Sequence, residues 1–259
     1  MAATRDTSQR RLQISELVRK HGSVQVAALA RNFGVSAQTV RKDLRYLAER
    51  GVMARAYGGA IDSSAVGGVP AEPPYEVKST SHLEEKRRIG ARAAALVKPG
   101  DTVALDSGTT AIQLAEALPD IDLTVVTNDF GVLGTLAPKH NINLVMLGGE
   151  LRRRNMAFYG GLTVEALEDL HVDMLFLGVD GFDLERGITT HYEPEALLNR
   201  KMVEAARVVV GITDSSKFGK VCLHRIIPVT ALDMLITDSG APEEIVRASE
   251  ELGFELLLA

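Results

Sequence analysis

Residues 23–50 read SVQVAALARNFGVSAQTVRKDLRYLAER, and this stretch decides the fold of the N-terminal part of the chain. Apolar side chains recur at helical spacing in residues 26–33 and again in residues 40–47. Gly34 lies between the two patterns, and Ser36 is a good N-cap for the second one. Two short helices joined by a tight turn are the layout of a helix-turn-helix.

The flanking residues complete this module. Residues 12–18 show a further apolar face at helical spacing, which predicts a helix before the pair. Residues 52–61, VMARAYGGAI, alternate and turn like a small β-hairpin. Three helices followed by a hairpin predict a winged helix-turn-helix.

Polar side chains cover the outer face of the second helix. In a helix-turn-helix the first turns of this helix enter the major groove of DNA. The predicted DNA-contacting residues are Ser36, Gln38, Thr39, Arg41, Lys42 and Arg45, with Arg55 and Tyr57 of the hairpin facing the backbone or the minor groove. Position alone does not separate base contacts from phosphate contacts. An ordinary helical hairpin with a solvated basic face is the alternative.

Formal charge is unevenly distributed along the chain. Of 259 residues with a net charge of −5, the first 60 carry eleven Lys or Arg against four Asp or Glu, a net of +7. The remainder carries −12. A basic module joined to an acidic one is expected when the first binds a polyanion and the second does not. The local positive charge, the Ser36 cap and the turn at Gly34 all agree with a helix-turn-helix. They favour DNA binding over an ordinary helical hairpin.

A stretch rich in small residues and proline separates two regions. Residues 62–75 read DSSAVGGVPAEPPY and show no apolar period. We therefore predict a DNA-binding domain over residues 1–61, a linker over residues 62–75 and a second domain over residues 76–259.

Beyond the linker, short apolar runs alternate with helical patterns. Strands are predicted at 102–105, 123–127, 143–147, 174–179, 208–213, 233–236 and 254–258, and helices at 110–118, 163–170, 195–206 and 242–252. Such alternation is typical of an α/β domain with a parallel sheet and helices on both faces.

Several protein classes are disfavoured by composition. No apolar stretch reaches the roughly 18 residues of a membrane span, and the N-terminus lacks the apolar core of a signal peptide, so we expect a cytoplasmic protein. The single cysteine, Cys222, excludes an intramolecular disulfide and a cysteine metal cluster. Neither a cofactor nor a bound metal is predicted.

Polar residues follow the predicted strands. The loop Asp106-Ser107-Gly108-Thr109-Thr110 follows a strand and opens a helix, where backbone N–H groups favour a bound phosphate. Ligands of parallel sheets bind at the carboxyl ends of the strands. The predicted effector-binding residues are Asp106, Ser107, Gly108, Thr109, Thr110, Asn128, Asp180, Asp183 and Lys217.

Each of these residues also has an ordinary structural interpretation. A loop rich in serine and threonine often only caps a helix. Asp180 and Asp183 lie in a glycine-rich turn, where aspartate often bonds the backbone. Lys217 is a candidate for phosphate neutralisation, and its alternative is a solvated surface charge.

The run VSAQTVRKDL at residues 35–44, with residues 47–51 and Gly58-Gly59-Ala60, resembles the DeoR family of sugar-metabolism regulators. Further markers of the resemblance are EKRRIG at 85–90, DSGTT at 106–110, VTN at 126–128, GGELR at 148–152 and DSSKFG at 214–219. The resemblance covers nearly the whole chain. Within the family, residues 181–191 most resemble the regulators of N-acetylgalactosamine utilisation.

The resemblance implies a DNA-binding regulator, most simply a repressor, whose effector domain is similar in fold to ribose-5-phosphate isomerase. An isomerase is therefore the alternative function. The glutamate base of that enzyme lies in a stretch that corresponds to residues 196–201 here, where Arg200 stands in its place. Arginine is always protonated and cannot abstract a carbon-bound proton, so Glu193 or Glu195 would have to serve as the base of an isomerase. The expected partners are double-stranded operator DNA, a phosphorylated sugar and further copies of the chain, as a dimer or tetramer.

Overall fold

The computed structural model describes residues 7–21, 23–49, 52–56, 59–61 and 72–259. The chain divides into two compact units, Met1–Ser81 and His82–Ala259. Within the described residues, no helix is both long enough and apolar enough to cross a membrane.

The first unit is a helical module with a small antiparallel sheet. Its elements are α1 (Thr7–His21), β1 (Ser23–Gln25), α2 (Val26–Phe33), α3 (Ala37–Glu49), β2 (Ala54–Ala56), β3 (Gly59–Ile61) and α4 (Tyr75–Thr80). The strands pair in the order β1-β3-β2. Side chains from α1, α2 and α3 form its core, and Ile14, Val40 and Leu47 are almost fully buried there. The predicted apolar faces are therefore the packed ones.

The second unit is built on a parallel sheet. Its helices are α5 (Leu83–Ala94), α6 (Thr109–Ala117), α7 (Phe130–Leu136), α8 (Gly161–Glu165), α9 (Glu193–Ala205) and α10 (Glu243–Leu252). Its strands are β4 (Thr102–Leu105), β5 (Leu123–Thr127), β6 (Ile142–Met146), β7 (Glu150–Arg152), β8 (Ala157–Tyr159), β9 (Val172–Gly178), β10 (Gly181–Asp183), β11 (Gly187–Thr190), β12 (Ala206–Ile212), β13 (His224–Ile227), β14 (Met234–Thr237) and β15 (Glu255–Leu258).

Strand order fixes where loops can converge. The seven strands of the main sheet run in the order β15-β14-β12-β9-β4-β5-β6, and all the pairings are parallel. From β4 the chain winds towards β6, whereas from β9 it winds towards β15. The order therefore reverses between β4 and β9. A crevice for a ligand forms at the carboxyl ends of the strands at such a switch point.

Alternate residues of each strand pack on opposite faces of the sheet. On β9, Leu175 and Leu177 join a core with residues of α9 and α10, whereas Phe176 joins a core with residues of α5 and α6. These apolar side chains are essentially inaccessible to solvent. Helices thus cover both faces, and the predicted α/β class with a helix-turn-helix module is confirmed.

Two smaller β structures lie outside the main sheet. Strands β7 and β8 form an antiparallel hairpin, and Phe158 of this hairpin donates its N–H to the carbonyl of Asn128, directly after β5. Strands β10, β11 and β13 form a second antiparallel sheet. Neither is predicted from the sequence. The helix predicted over residues 163–170 is observed over Gly161–Glu165 and is followed by turns.

Candidate functional site

The turn of the helix-turn-helix has the geometry that its sequence predicts. Gly34 ends α2 in the left-handed conformation, with φ 62° and ψ 33°, which suits glycine. The Ser36 Oγ accepts a hydrogen bond of 3.0 Å from the Thr39 N–H and so caps α3. The buried side of α3 then fixes which residues face outward.

The predicted DNA-contacting residues of α3 lie on its accessible side. Ser36, Gln38, Arg41, Lys42 and Arg45 are exposed, and Thr39 is half-buried. This exposed set is mostly basic, as a surface that binds phosphate groups requires. Of the hairpin residues, Tyr57 lies outside the described residues, and so does the side chain of Arg55.

Two arginines of the basic N-terminal unit form ion pairs within that unit. The carboxylate of Asp43, in α3, forms ion pairs of 2.8 Å with the Nε atoms of Arg10 and Arg11, in α1. Asp43 and Arg10 are buried, and the guanidinium of Arg11 stacks 3.6 Å from the ring centre of Tyr46. Charge counting along the sequence therefore overstates the positive charge that is free for a ligand.

In the second unit, Asp106 joins the two strands of the switch point. Its carboxylate accepts hydrogen bonds from the Ser107 N–H at 2.6 Å and from the Gly178 N–H, at the end of β9, at 3.1 Å. The Nδ2 of Asn199, in α9, donates to the same carboxylate at 3.1 Å. Asp106 is 1% exposed, so its first role is to hold the loops after β4 and β9 together.

The predicted phosphate loop leads into α6. Gly108 precedes this helix with φ 135° and ψ 167°, and the space where a side chain would lie is open. The first intrahelical bond runs from the Ile112 N–H to the Gly108 carbonyl. The N–H groups of Thr109 and Thr110 therefore belong to the helix N-terminus, where anions are favoured.

Asp129 stabilises this loop from the next strand. Its Oδ2 accepts from the Gly108 N–H at 2.9 Å, and its Oδ1 accepts from the Val132 N–H at 2.9 Å. One carboxylate thus caps α7 and holds the start of α6. Asp129 is not among the predicted site residues, although it directly follows one of them, Asn128.

A buried polar network continues from the phosphate loop. The hydroxyl of Tyr159, at the end of β8, lies 3.0 Å from Ser107 Oγ, 2.6 Å from Asn155 Nδ2 and 3.4 Å from Glu195 Oε2. Glu195 also accepts from the hydroxyl of Thr190 at 2.9 Å. All five residues are less than 10% exposed. The network links β4, the β7–β8 hairpin and α9.

Burial and like charges perturb the acids of this network. Burial, followed by the negative charge of Glu195, raises the pKa of Asp106 well above its ordinary value, against the hydrogen bonds from Ser107 and Gly178. Burial and the charges of Glu195 and Asp106 also raise the pKa of the Tyr159 hydroxyl. At neutral pH, Tyr159 is therefore a hydrogen-bond donor.

Asn128 presents an unused acceptor beside the switch point. It is fully buried, and its Nδ2 donates to the Phe158 carbonyl at 3.0 Å. Because a carbonyl only accepts, this bond fixes the orientation of the amide. Its Oδ1 has no hydrogen-bond partner among the described residues. A buried acceptor without a partner is a place where a ligand hydroxyl or N–H can bind.

The remaining predicted residues lie around this centre. Asp180 is half-buried in the loop between β9 and β10. Asp183 accepts hydrogen bonds from the N–H groups of Glu185 and Arg186, at 3.0 and 2.7 Å. Asp183 thus closes the turn of the β10–β11 hairpin, which is the structural alternative noted from the sequence.

Lys217 lies after β12, in the short helical turn 215–217. Its charge acts on Asp214, the second residue after the same strand. Burial raises the pKa of Asp214, but the positive charges of Lys217, His82 and Lys86 and a hydrogen bond from Ser216 hold it below the ordinary value. Cationic side chains therefore gather at the carboxyl end of β12, the strand beside β9.

Arg200 does not face the switch point. Its guanidinium donates to the carbonyl of Arg225, in β13, at 2.5 Å. In the described part of the chain, no group of three or more His, Cys, Asp or Glu side chains is placed to hold a metal ion.

Comparison with known proteins identifies both units. Residues 10–65 match the DeoR-like helix-turn-helix domain, and residues 81–239 match the DeoR C terminal sensor domain. These matches confirm the resemblance that the sequence motifs predicted.

Two relatives align over almost their whole length. An aga operon transcriptional repressor of Escherichia coli O157:H7 is 43% identical over 97% of this chain and 94% of its own. The glycerol-3-phosphate regulon repressor of Escherichia coli K12 is 32% identical over 97% of this chain and 98% of its own. Both are regulators of transcription and not enzymes.

Among solved structures, ribose 5-phosphate isomerase A from Neisseria gonorrhoeae superposes with a TM-score of 0.40 at 19% identity, over 55% of this chain and 56% of that chain. Family membership is carried by the two domain matches and the full-length relatives. The chain belongs to the DeoR family of transcriptional regulators.

Proposed function

We propose that the protein represses an operon for the catabolism of a sugar or amino sugar, and that a phosphorylated sugar controls its binding to operator DNA. The observation that carries this proposal is the loop 106–110 at the reversal of strand order. That loop combines a helix N-terminus, open space at Gly108 and hydroxyl side chains. The names of the two relatives, repressors of an aga operon and of a glycerol-3-phosphate regulon, support repression and a phosphorylated effector.

In this proposal the phosphate binds the Thr109 and Thr110 N–H groups and the hydroxyls of the loop. The Gly108 N–H does not take part, because it already donates to Asp129. Lys217 supplies positive charge from the neighbouring part of the sheet edge. The unused Oδ1 of Asn128 accepts from a sugar hydroxyl or amide, and Asp180 contacts a further polar group of the sugar.

The DNA-binding unit reads the operator with the exposed face of α3. Arg41, Lys42 and Arg45 contact phosphates or guanine bases, and Ser36, Gln38 and Thr39 lie at the first turns of the helix. Residues 62–75 serve as the linker between the two functional parts. One such helix covers one half-site, so we propose that the protein acts as a homo-oligomer.

A ligand screen tests the proposed effector. The protein is heated with sugar phosphates, with the same sugars lacking phosphate, and with inorganic phosphate alone. A ligand at 100 times its Kd adds about 2.7 kcal/mol to the free energy of unfolding. We expect stabilisation by at least one sugar phosphate and by none of the unphosphorylated sugars at equal concentration.

Two lysine variants locate the site. Lys217→Ala should weaken the binding of that sugar phosphate by about 10- to 100-fold, since a hydrogen bond to a charged group contributes about 1.5–3 kcal/mol. Lys98→Ala is the control, because Lys98 is exposed and precedes β4, at the opposite end of the sheet. Equal affinities for the parent and both variants would contradict the placement of the phosphate.

A further inference from the structure

A surface groove of about 610 Å³ lies between α8 and α9 of the effector unit. Val164 and Leu197 contribute its apolar lining. Leu197 is 48% exposed, and Leu162, on α8, is 72% exposed. Exposed apolar side chains such as Leu197, in a groove rimmed by charged residues, are of the kind that is common at interfaces between proteins.

The two sides of the groove carry opposite charges. Glu165 and Glu168 line it on the side of α8, whereas Arg200, Lys201 and Glu204 line it on the side of α9, so that the α9 side keeps a net positive charge. Lys201 forms an ion pair of 2.6 Å with Glu204 of the same helix, and both side chains are largely exposed. Such an exposed pair contributes little to stability, so Lys201 can exchange it for another partner.

This arrangement is complementary to itself. A two-fold axis that runs along the groove places α8 of one copy opposite α9 of another. Glu165 and Glu168 of each copy then face Arg200 and Lys201 of the other. The ionic contacts form twice, and Val164 and Leu197 between them are covered by the second copy.

We propose that this groove is an interface between two copies of the chain. An unrelated partner would have to reproduce the same division of charge, whereas a second copy carries it by symmetry. The inference rests on the proposed homo-oligomer and adds to it the surface that forms the contact. It also assigns Arg200 a role in assembly.

Paired charge reversals test the interface. One variant carries Glu165→Lys and Glu168→Lys, and a second carries Arg200→Glu and Lys201→Glu. Each variant alone should associate at least 10-fold more weakly than the parent, because like charges then face each other on both sides of the axis. In an equimolar mixture of the two variants, every opposing pair is again of opposite sign. The mixture should therefore recover the parent's association in sedimentation velocity.

A matched control reverses two exposed acids on α10, Glu250→Lys and Glu251→Lys, and should associate like the parent. Far-UV circular dichroism verifies that every variant is folded. If the parent oligomer persists in both groove variants, or if their mixture fails to recover association, the assigned surface is wrong. If the parent itself is a monomer, the proposed homo-oligomer fails together with it.

Discussion

In the DNA-binding unit, the carboxylate of Asp43 joins two helices, α1 and α3. It pairs with Arg10 and Arg11 at 2.8 Å and is 2% exposed. Replacing only the acid removes the counter-charge that Asp43 supplies to the buried guanidinium of Arg10. Breaking a buried ion pair by removing one partner lowers the free energy of unfolding by about 3–5 kcal/mol.

Asp43→Ala should therefore lower the free energy of unfolding by about 3–5 kcal/mol and weaken operator binding, although Asp43 lies on the buried side of α3. Urea unfolding followed by circular dichroism measures the change. Glu16→Ala is the control, since Glu16 is exposed on α1. Comparable stability of the Asp43→Ala variant and this control would show that the ion pairs do not hold α1 against α3.

Asp106 should make stability depend on pH. Folding raises the pKa of Asp106. Its contribution to the stability of the folded state is therefore complete below the ordinary pKa of 3.8, and it is lost as the pH rises through the raised pKa. Above pH 4, the stability of the parent relative to the Asp106→Asn variant should fall by up to about 1.4 kcal/mol per pH unit. Urea titrations of both proteins between pH 4 and pH 8 measure this difference. Parallel curves would mean that Asp106 is not perturbed.

Among the helices and strands, those with a strong apolar period are the ones that the sequence predicts well. The seven parallel strands and helices α6, α9 and α10 lie within a few residues of their predicted bounds. Helix α5 was not predicted, since its buried face uses small residues such as Ala93 and Ala94 beside Ile89. The β7–β8 hairpin was missed because three-residue strands carry almost no periodic signal.

The same limit applies to the candidate site. Residues that directly follow strands, such as Asp106 and Asn128, can be placed from the strand pattern alone. Tyr159 and Glu195 cannot, because Tyr159 reaches Ser107 from a hairpin and Glu195 reaches Tyr159 from a helix, and both lie far along the chain. Only the folded topology brings these groups together.

The packing of α5 against α6 positions the phosphate loop. A Cβ atom at Gly90, on α5, would lie 2.6 Å from the backbone carbon of Gln113 and 2.7 Å from the backbone nitrogen of Leu114, both on α6. Since backbone atoms cannot yield as a side chain can, α6 would have to shift.

Gly90→Ala should therefore destabilise the protein by about 1–3 kcal/mol, or more, and lower its affinity for the sugar phosphate. Gly134→Ala, on α7, is the matched control, because its Cβ would meet open space and alanine favours the helix by about 1 kcal/mol. Thermal unfolding with and without ligand measures both effects. A Gly90→Ala protein as stable as the Gly134→Ala protein would contradict this account of the contact.

For the molecule as a whole, we propose that one ligand site controls one DNA-binding surface. The two domain matches assign a DNA-binding part and a sensor part to a single chain. A ligand can shift DNA binding only as far as it prefers one conformational state, and the coupling must be reciprocal. The charge distribution and the motifs of the sequence distinguish the two parts, but they do not predict how strongly ligand binding and DNA binding are coupled.

The most direct test measures both sides of this linkage with the full-length protein. Operator affinity is determined by fluorescence anisotropy with and without the stabilising sugar phosphate, and sugar-phosphate affinity is determined by calorimetry with and without saturating operator. We predict that the ligand weakens operator binding about 5- to 150-fold and that the operator weakens ligand binding by the same factor. Unchanged operator affinity at saturating ligand would contradict the account.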